Sequence, residues 1–147
     1  MTRLNDNTNL TARAPAATAT VDGDHTTRVH DARLTARTFA DSLSPAPGPG
    51  RTDTLVLVVS ELVTNALRHG GGRYTLTLSA GPGTMTASVS DPNPAPPRER
   101  APDLGGAGGG FGWHMVRHLA IAVTISPHSG SNRGSGSGKT IHARLPR

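Results

Sequence analysis

The sequence predicts a two-layer α/β (α+β) domain, with helices packed on one face of a mixed, mostly antiparallel sheet. Three observations predict it. The segment "RTDTLVLVVSELVTNALRHGGG" repeats its apolar residues at helical spacing. Directly after it, "RYTLTLSAGPGTMTASVSD" alternates apolar and polar residues on both sides of Gly81-Pro82-Gly83, the pattern of a hairpin. Further on, "WHMVRHLA" reads as a short helix, and "IAVTIS" and "KTIHARL" read as two more strands.

Taken in order, residues 1–25 are polar, rich in Thr and Ala, and without periodicity. They are expected to form a disordered tail ahead of a domain at 26–147. "TRVHDARLTARTFADSL" spaces Val29, Leu34, Phe39 and Leu43 as an amphipathic helix, and "SPAPGPG" breaks it. In the long helix, Thr52 or Asp53 is the expected cap and Gly70-Gly71-Gly72 the stop. The hairpin leads into "PNPAPPRERAPDLGGAGGGFG", a loop of roughly twenty residues, a length that in a compact domain is functional or disordered.

Composition narrows the function classes. A chain of 147 residues is most economically one domain. Its net charge of +5 comes from fourteen Arg and a single Lys, Lys139, and the arginines are scattered. With aromatics at only 3%, there is neither a basic stripe nor a stacking platform, so a nucleic-acid surface is not expected. The absence of cysteine excludes disulfides and thiolate metal sites. No apolar run has the length of a membrane span, and the N-terminus lacks a signal-peptide pattern. A cytoplasmic location is the resulting expectation.

The long helix carries the chemistry. On a helical wheel, Leu55, Val59, Leu62, Val63 and Ala66 share one side. Glu61, Asn65 and Arg68 lie together on the other, with His69 at its edge. A solvated polar stripe is the ordinary explanation of such a pair. Two features argue against it. The chain has only two glutamates, and one of them stands inside its most apolar helix. Asn is also a weak helix former, so Asn65 has no propensity rationale there. Carboxylate and amide oxygens one turn apart are hard ligands, suited to Mg2+ and to orienting a hydroxyl beside a phosphate.

"VVSELVTNALRHGGG" resembles, nearly residue for residue, the N-box of the GHKL (Bergerat-fold) ATPases, which have a histidine-kinase-like ATPase domain. Its closest likeness is to the anti-sigma-factor serine/threonine kinases, and the likeness runs from about residue 28 to the end in element order. The resemblance implies that Glu61 acts as or orients the general base, that Asn65 holds Mg2+ bridging the ATP phosphates, and that His69 lies near the nucleotide.

The same resemblance makes Asp91, at the end of the hairpin, the acceptor for the adenine amino group. A carboxylate suits that donor. The wider superfamily writes Asp-x-Gly-x-Gly at this point, whereas this chain has Asp91-Pro92-Asn93-Pro94, a form found in the short serine-kinase-like branch. "GGAGGGFGWHMV" matches the second Gly-rich box, with Gly110 and Gly112 as its glycines and Trp113 in place of Leu. Residues 93–109 would then be the ATP lid.

Near the end, "GSGSGKT" imitates a Walker phosphate loop, but the first glycine that motif needs falls on Arg133. A strand pattern follows it instead of a helix. Under the resemblance, Thr140 supports the ATP site, Gly138 lets the turn approach, and Lys139 faces solvent. His114 and His118 share a helix face but have no evident third metal ligand.

The implied function is transfer of the ATP γ-phosphoryl group to a Ser/Thr of an anti-anti-sigma antagonist. A sigma factor is a further expected partner and homodimers are frequent in the family. A catalytically silent ATP-binding module that sequesters a partner is the alternative.

Overall fold

The computed structural model describes residues 17–25, 29–97, 111–128 and 137–147. Eight elements follow in order: β1 (Thr18–Asp24), α1 (Val29–Ser42), α2 (Pro49–His69), β2 (Arg73–Gly81), β3 (Thr84–Asp91), α3 (Phe111–Leu119), β4 (Ala122–His128) and β5 (Gly138–Pro146). The strands form one sheet in the order β1-β2-β3-β5-β4, and every neighbouring pair is antiparallel. The predicted two-layer α+β class is therefore observed, with a wholly antiparallel sheet in place of the mixed one expected.

Strand alternation divides the sheet into two faces. Tyr74, Leu76, Leu78 and Ala80 of β2, Met85, Ala87 and Val89 of β3, and Ile141, Ala143 and Leu145 of β5 are buried. They meet Leu55, Val58, Val59, Leu62, Val63 and Ala66 of α2 in one core with Ala32, Ala36, Phe39 and Ala40 of α1 and Val116 of α3. The opposite face is a field of hydroxyls tied across strands. Thr75 donates to Asp22 at 2.6 Å, Ser88 pairs with His142 at 2.8 Å, and Ser90 pairs with Thr140 at 2.7 Å. Leu62 is only 1% exposed, so its truncation to Ala would cost about 2–5 kcal/mol.

Three local expectations change. Residues 18–24, read from sequence as part of a disordered tail, form β1 and pair with β2 from Thr18↔Ser79 to Asp24↔Arg73. Main-chain hydrogen bonds hold this edge strand, and only Ala19, Val21 and Gly23 turn inward, too weak a pattern to read in advance. α2 starts at Pro49, ahead of the expected cap, with Gly48 at the N-cap and no side-chain cap bond. Proline fits the first helical turn because its missing N–H would have had no partner there. In α1 the buried stripe is Ala32, Ala36, Phe39 and Ala40, while Leu34 is 51% exposed. Leu34 lines an open recess of 380 Å³ with Thr18, Ala19, Thr38 and Phe39.

Tyr74 is 3% exposed, and its hydroxyl has no hydrogen-bond partner among the described residues. Burial raises its pKa above 10.0, and the carboxylates of Asp31 and Asp24 add to the rise.

Candidate functional site

The site is built on the half-buried side of α2. Glu61 and Asn65 are both partly buried rather than solvated, one turn and about 6 Å apart along the axis. α3 packs against this helix, and its Gly112 lies directly on Glu61: a Cβ there would collide with Glu61 Oε2. A side chain at 112 would displace the Glu61 carboxylate from this position. The carboxylate therefore stands at the N-terminus of a nine-residue helix, where the positive end of the macrodipole favours negative charge.

Nine residues beyond Glu61, about 14 Å along the axis, α2 ends at Gly70. A Cβ on Gly70 would lie 2.5 Å from Asp91 Cγ and 2.7 Å from Oδ2, so the carboxylate is packed against the end of the helix. Asp91 is 5% exposed and Lys139 is 5% exposed. The Lys139 ammonium lies 2.9 Å from Asp91 Oδ2, and it donates to Asp91 Oδ1 at 3.0 Å and to the Asn93 carbonyl at 3.0 Å. Its hydrogen bonds thus go to one carboxylate and one main-chain carbonyl. Asp91 Oδ1 also accepts from the Asn93 backbone N–H at 2.9 Å.

Asn93 completes the junction. Its Nδ2 donates to the His69 carbonyl at 2.7 Å, and its Oδ1 accepts from the Ala95 N–H at 3.0 Å. The end of β3, the end of α2 and the start of β5 are held together by one polar cluster.

The structure thus brings Glu61 together with Gly112, and Asp91 together with the end of α2 and the start of β5. His69 enters this cluster through its backbone, while its side chain is exposed. Thr140 does not face the site. Its hydroxyl shares a hydrogen bond with Ser90 on the open face of the sheet, opposite Asp91. Lys139, expected in solvent, is the buried residue beside Asp91. Strand parity is the physical reason for both corrections: Lys139 is in phase with the inward Ile141, Ala143 and Leu145, and Thr140 with the outward His142 and Arg144. Gly138 lies where a Cβ would meet the Asp91 carbonyl and the His128 ring.

Gly110 and positions 98–109 of the expected lid lie outside the described residues, as does Arg133. His114 and His118 are exposed on α3. Among the described residues, no group of three or more His, Cys, Asp or Glu could hold a metal ion, and no helix is long and apolar enough to cross a membrane.

Sequence reasoning missed Lys139, Asn93 and Gly70. The first had a readable signal, being the chain's only lysine on the inward phase of a strand.

A family model described as the histidine kinase-like ATPase domain matches residues 24–141, most of the chain. No curated protein matches it.

Proposed function

Because this chain belongs to the histidine kinase-like ATPase domain family, we propose that it binds ATP along α2 and passes the γ-phosphoryl group to a serine or threonine hydroxyl of a partner protein. The chemistry of the donor set fits the ligand. At one end stands a buried carboxylate able to accept from a base amino group. At the other stand a carboxylate and a carboxamide, oxygen donors of the kind Mg2+ takes. Between Glu61 and α3, the glycine at 112 leaves backbone where a side chain would block approach.

The single observation that carries the reading is Glu61, half-buried on α2 and lying against the backbone of Gly112. A solvated helical stripe needs neither feature. In the proposed reaction Glu61 accepts the proton of the attacking hydroxyl. The hydroxyl oxygen bonds to the γ-phosphorus as the bond from that phosphorus to the β–γ bridging oxygen breaks, and ADP departs. Asn65 Oδ1 would hold Mg2+, which when bound neutralises charge on the phosphate oxygens. Positioning and charge stabilisation supply most of the catalysis in such transfers. The likeness to anti-sigma-factor kinases supports an anti-anti-sigma antagonist as the phosphoryl acceptor and a sigma factor as a second partner.

The test captures the protein's partner, adds labelled ATP with Mg2+, and looks for phosphoserine or phosphothreonine on that partner. Wild type should label it. Glu61→Ala should bind ATP but transfer nothing. Equal labelling by both proteins would overturn the role of Glu61, and no labelling by either would leave a binding module acting by sequestration.

A further inference from the structure

We infer that Asn93 is a positioning residue for the nucleotide: its side chain clips the end of β3 to the end of α2, and so fixes the spacing between the part of the site at Asp91 and the part at Glu61 and Asn65. The inference rests on the nucleotide-binding reading above and gives a role to a residue which that reading does not use.

Every helix leaves carbonyls without helical partners at its C-terminus. At the end of α2, the Gly70 and Gly72 N–H groups turn back to the Ala66 carbonyl, at 2.9 and 3.3 Å. The last carbonyl, that of His69, is met from outside the helix by Asn93 Nδ2 at 2.7 Å. Among the described residues, no other hydrogen bond joins α2 to residues 91–97. The remaining polar groups of Asn93 are also engaged. Its N–H donates to Asp91 Oδ1 at 2.9 Å, its carbonyl accepts from Lys139 Nζ at 3.0 Å, and its Oδ1 accepts from the Ala95 N–H at 3.0 Å. One residue ties β3, α2 and β5 at their meeting point.

Its neighbours stiffen the clip. Pro92 and Pro94 each hold φ at about −65° and carry no N–H. A Cβ on Gly71, whose φ is +102°, would lie 2.7 Å from Pro92 Cγ, so Pro92 seats directly on the turn after α2. Core packing holds α2 on the sheet, but Gly70, Gly71 and Gly72 offer no side chain to grip at this end. The Asn93 bond to His69 supplies the register there. A glycine at 93, as in the Asp-x-Gly-x-Gly form of the wider superfamily, would keep the main-chain bonds and lose both side-chain ones. A ligand held at two ends gains fully from the second contact only if the ends keep their spacing, because a mobile end must be ordered on binding. Asn65 stands about 8 Å and Glu61 about 14 Å from Gly70 along the rigid helix. Asn93 sets Asp91 against that scale.

The experiment is a double-mutant cycle on ATP affinity. ATP with Mg2+ is titrated calorimetrically into wild type, Asn93→Gly, Asn65→Ala and the double variant. Asn93→Ala replaces Asn93→Gly if the glycine variant does not fold, and circular dichroism confirms that each protein is folded at the titration temperature. Asn93→Gly should bind ATP about three- to tenfold more weakly than wild type, the worth of one hydrogen bond. Asn65→Ala should lose less affinity in the Asn93→Gly background than alone, because a contact at the phosphate end counts for less once the two ends are out of register. A residue that merely capped the helix would cost the same in either background, and the two losses would multiply. Multiplied losses, or wild-type ATP affinity in the Asn93 variant, would overturn the role of Asn93 and leave the nucleotide site standing. If wild type binds no ATP, both readings fall.

Discussion

The Lys139 ammonium lies 2.9 Å from Asp91 Oδ2, with the two side chains 6% and 4% exposed. This ion pair joins β5 to β3 at the point where α2 ends. Breaking a buried pair from one side leaves an uncompensated charge. Lys139→Met is accordingly expected to lower unfolding free energy by about 3–5 kcal/mol. Asp91→Asn combined with Lys139→Met should recover much of that loss, because neither charge remains. Urea denaturation of the two variants checks the difference.

Gly112→Ala should weaken transfer and leave nucleotide binding in place, as Glu61→Ala does, since the added methyl group displaces the Glu61 carboxylate. Gly83→Ala is the control. Gly83 has open space around it and a φ of +71°, so the substitution strains the hairpin by about 1–2 kcal/mol without touching the site. Thermal denaturation, ATP titration and a transfer assay with labelled ATP together separate the two effects.

Gly70→Ala should be destabilising by about 1–3 kcal/mol. Its methyl group would lie 2.7 Å from the Ala66 carbonyl and 2.5 Å from Asp91 Cγ, and neither neighbour is a flexible chain end. A lower denaturation midpoint accompanied by reduced ATP affinity is the expected result.

Tyr74 predicts a change at alkaline pH. The unfolded phenol titrates near 10.0, and the folded one titrates higher because burial, then Asp31 and Asp24, disfavour the phenolate. Above pH 10.0 the unfolded chain therefore releases this proton first, and stability falls as pH rises toward the folded value. Tyr74→Phe should remove that part of the decline. At neutral pH it should be neutral or slightly stabilising, since the hydroxyl has no hydrogen-bond partner among the described residues. Denaturation midpoints of both proteins, measured on either side of pH 10.0, check this.

The parts of the molecule legible in the sequence were those written in side-chain periodicity. The two faces of α2 follow from the spacing of Leu55, Val59, Leu62, Val63 and Ala66, all of which are buried. β2 and β3 follow from alternation around Pro82 and Gly83. β1 was hidden because its pairing lies in the main chain, and Ala19 and Val21 carry little apolar signal. α1 misled because Leu34 attracts attention, whereas alanines let α1 sit close to α2. At the site, Glu61 stood out by residue type, but the partner of Asp91 did not. Motif spelling drew the reading to Thr140, although strand parity, already present in "KTIHARL", pointed to Lys139. The contacts of Gly70 and Gly112 join residues far apart in sequence, and no local pattern encodes them.

Asn65 and its neighbours on α2 are proposed to hold ATP through Mg2+. Calorimetric titration of wild type and Asn65→Ala with ATP, each with and without Mg2+, tests it most directly. Wild type should bind one ATP with an affinity that Mg2+ strengthens, and Asn65→Ala should lose about tenfold or more of that strengthening, roughly 1.4 kcal/mol. No binding by wild type at millimolar ATP, or an unchanged Mg2+ effect in Asn65→Ala, would contradict it.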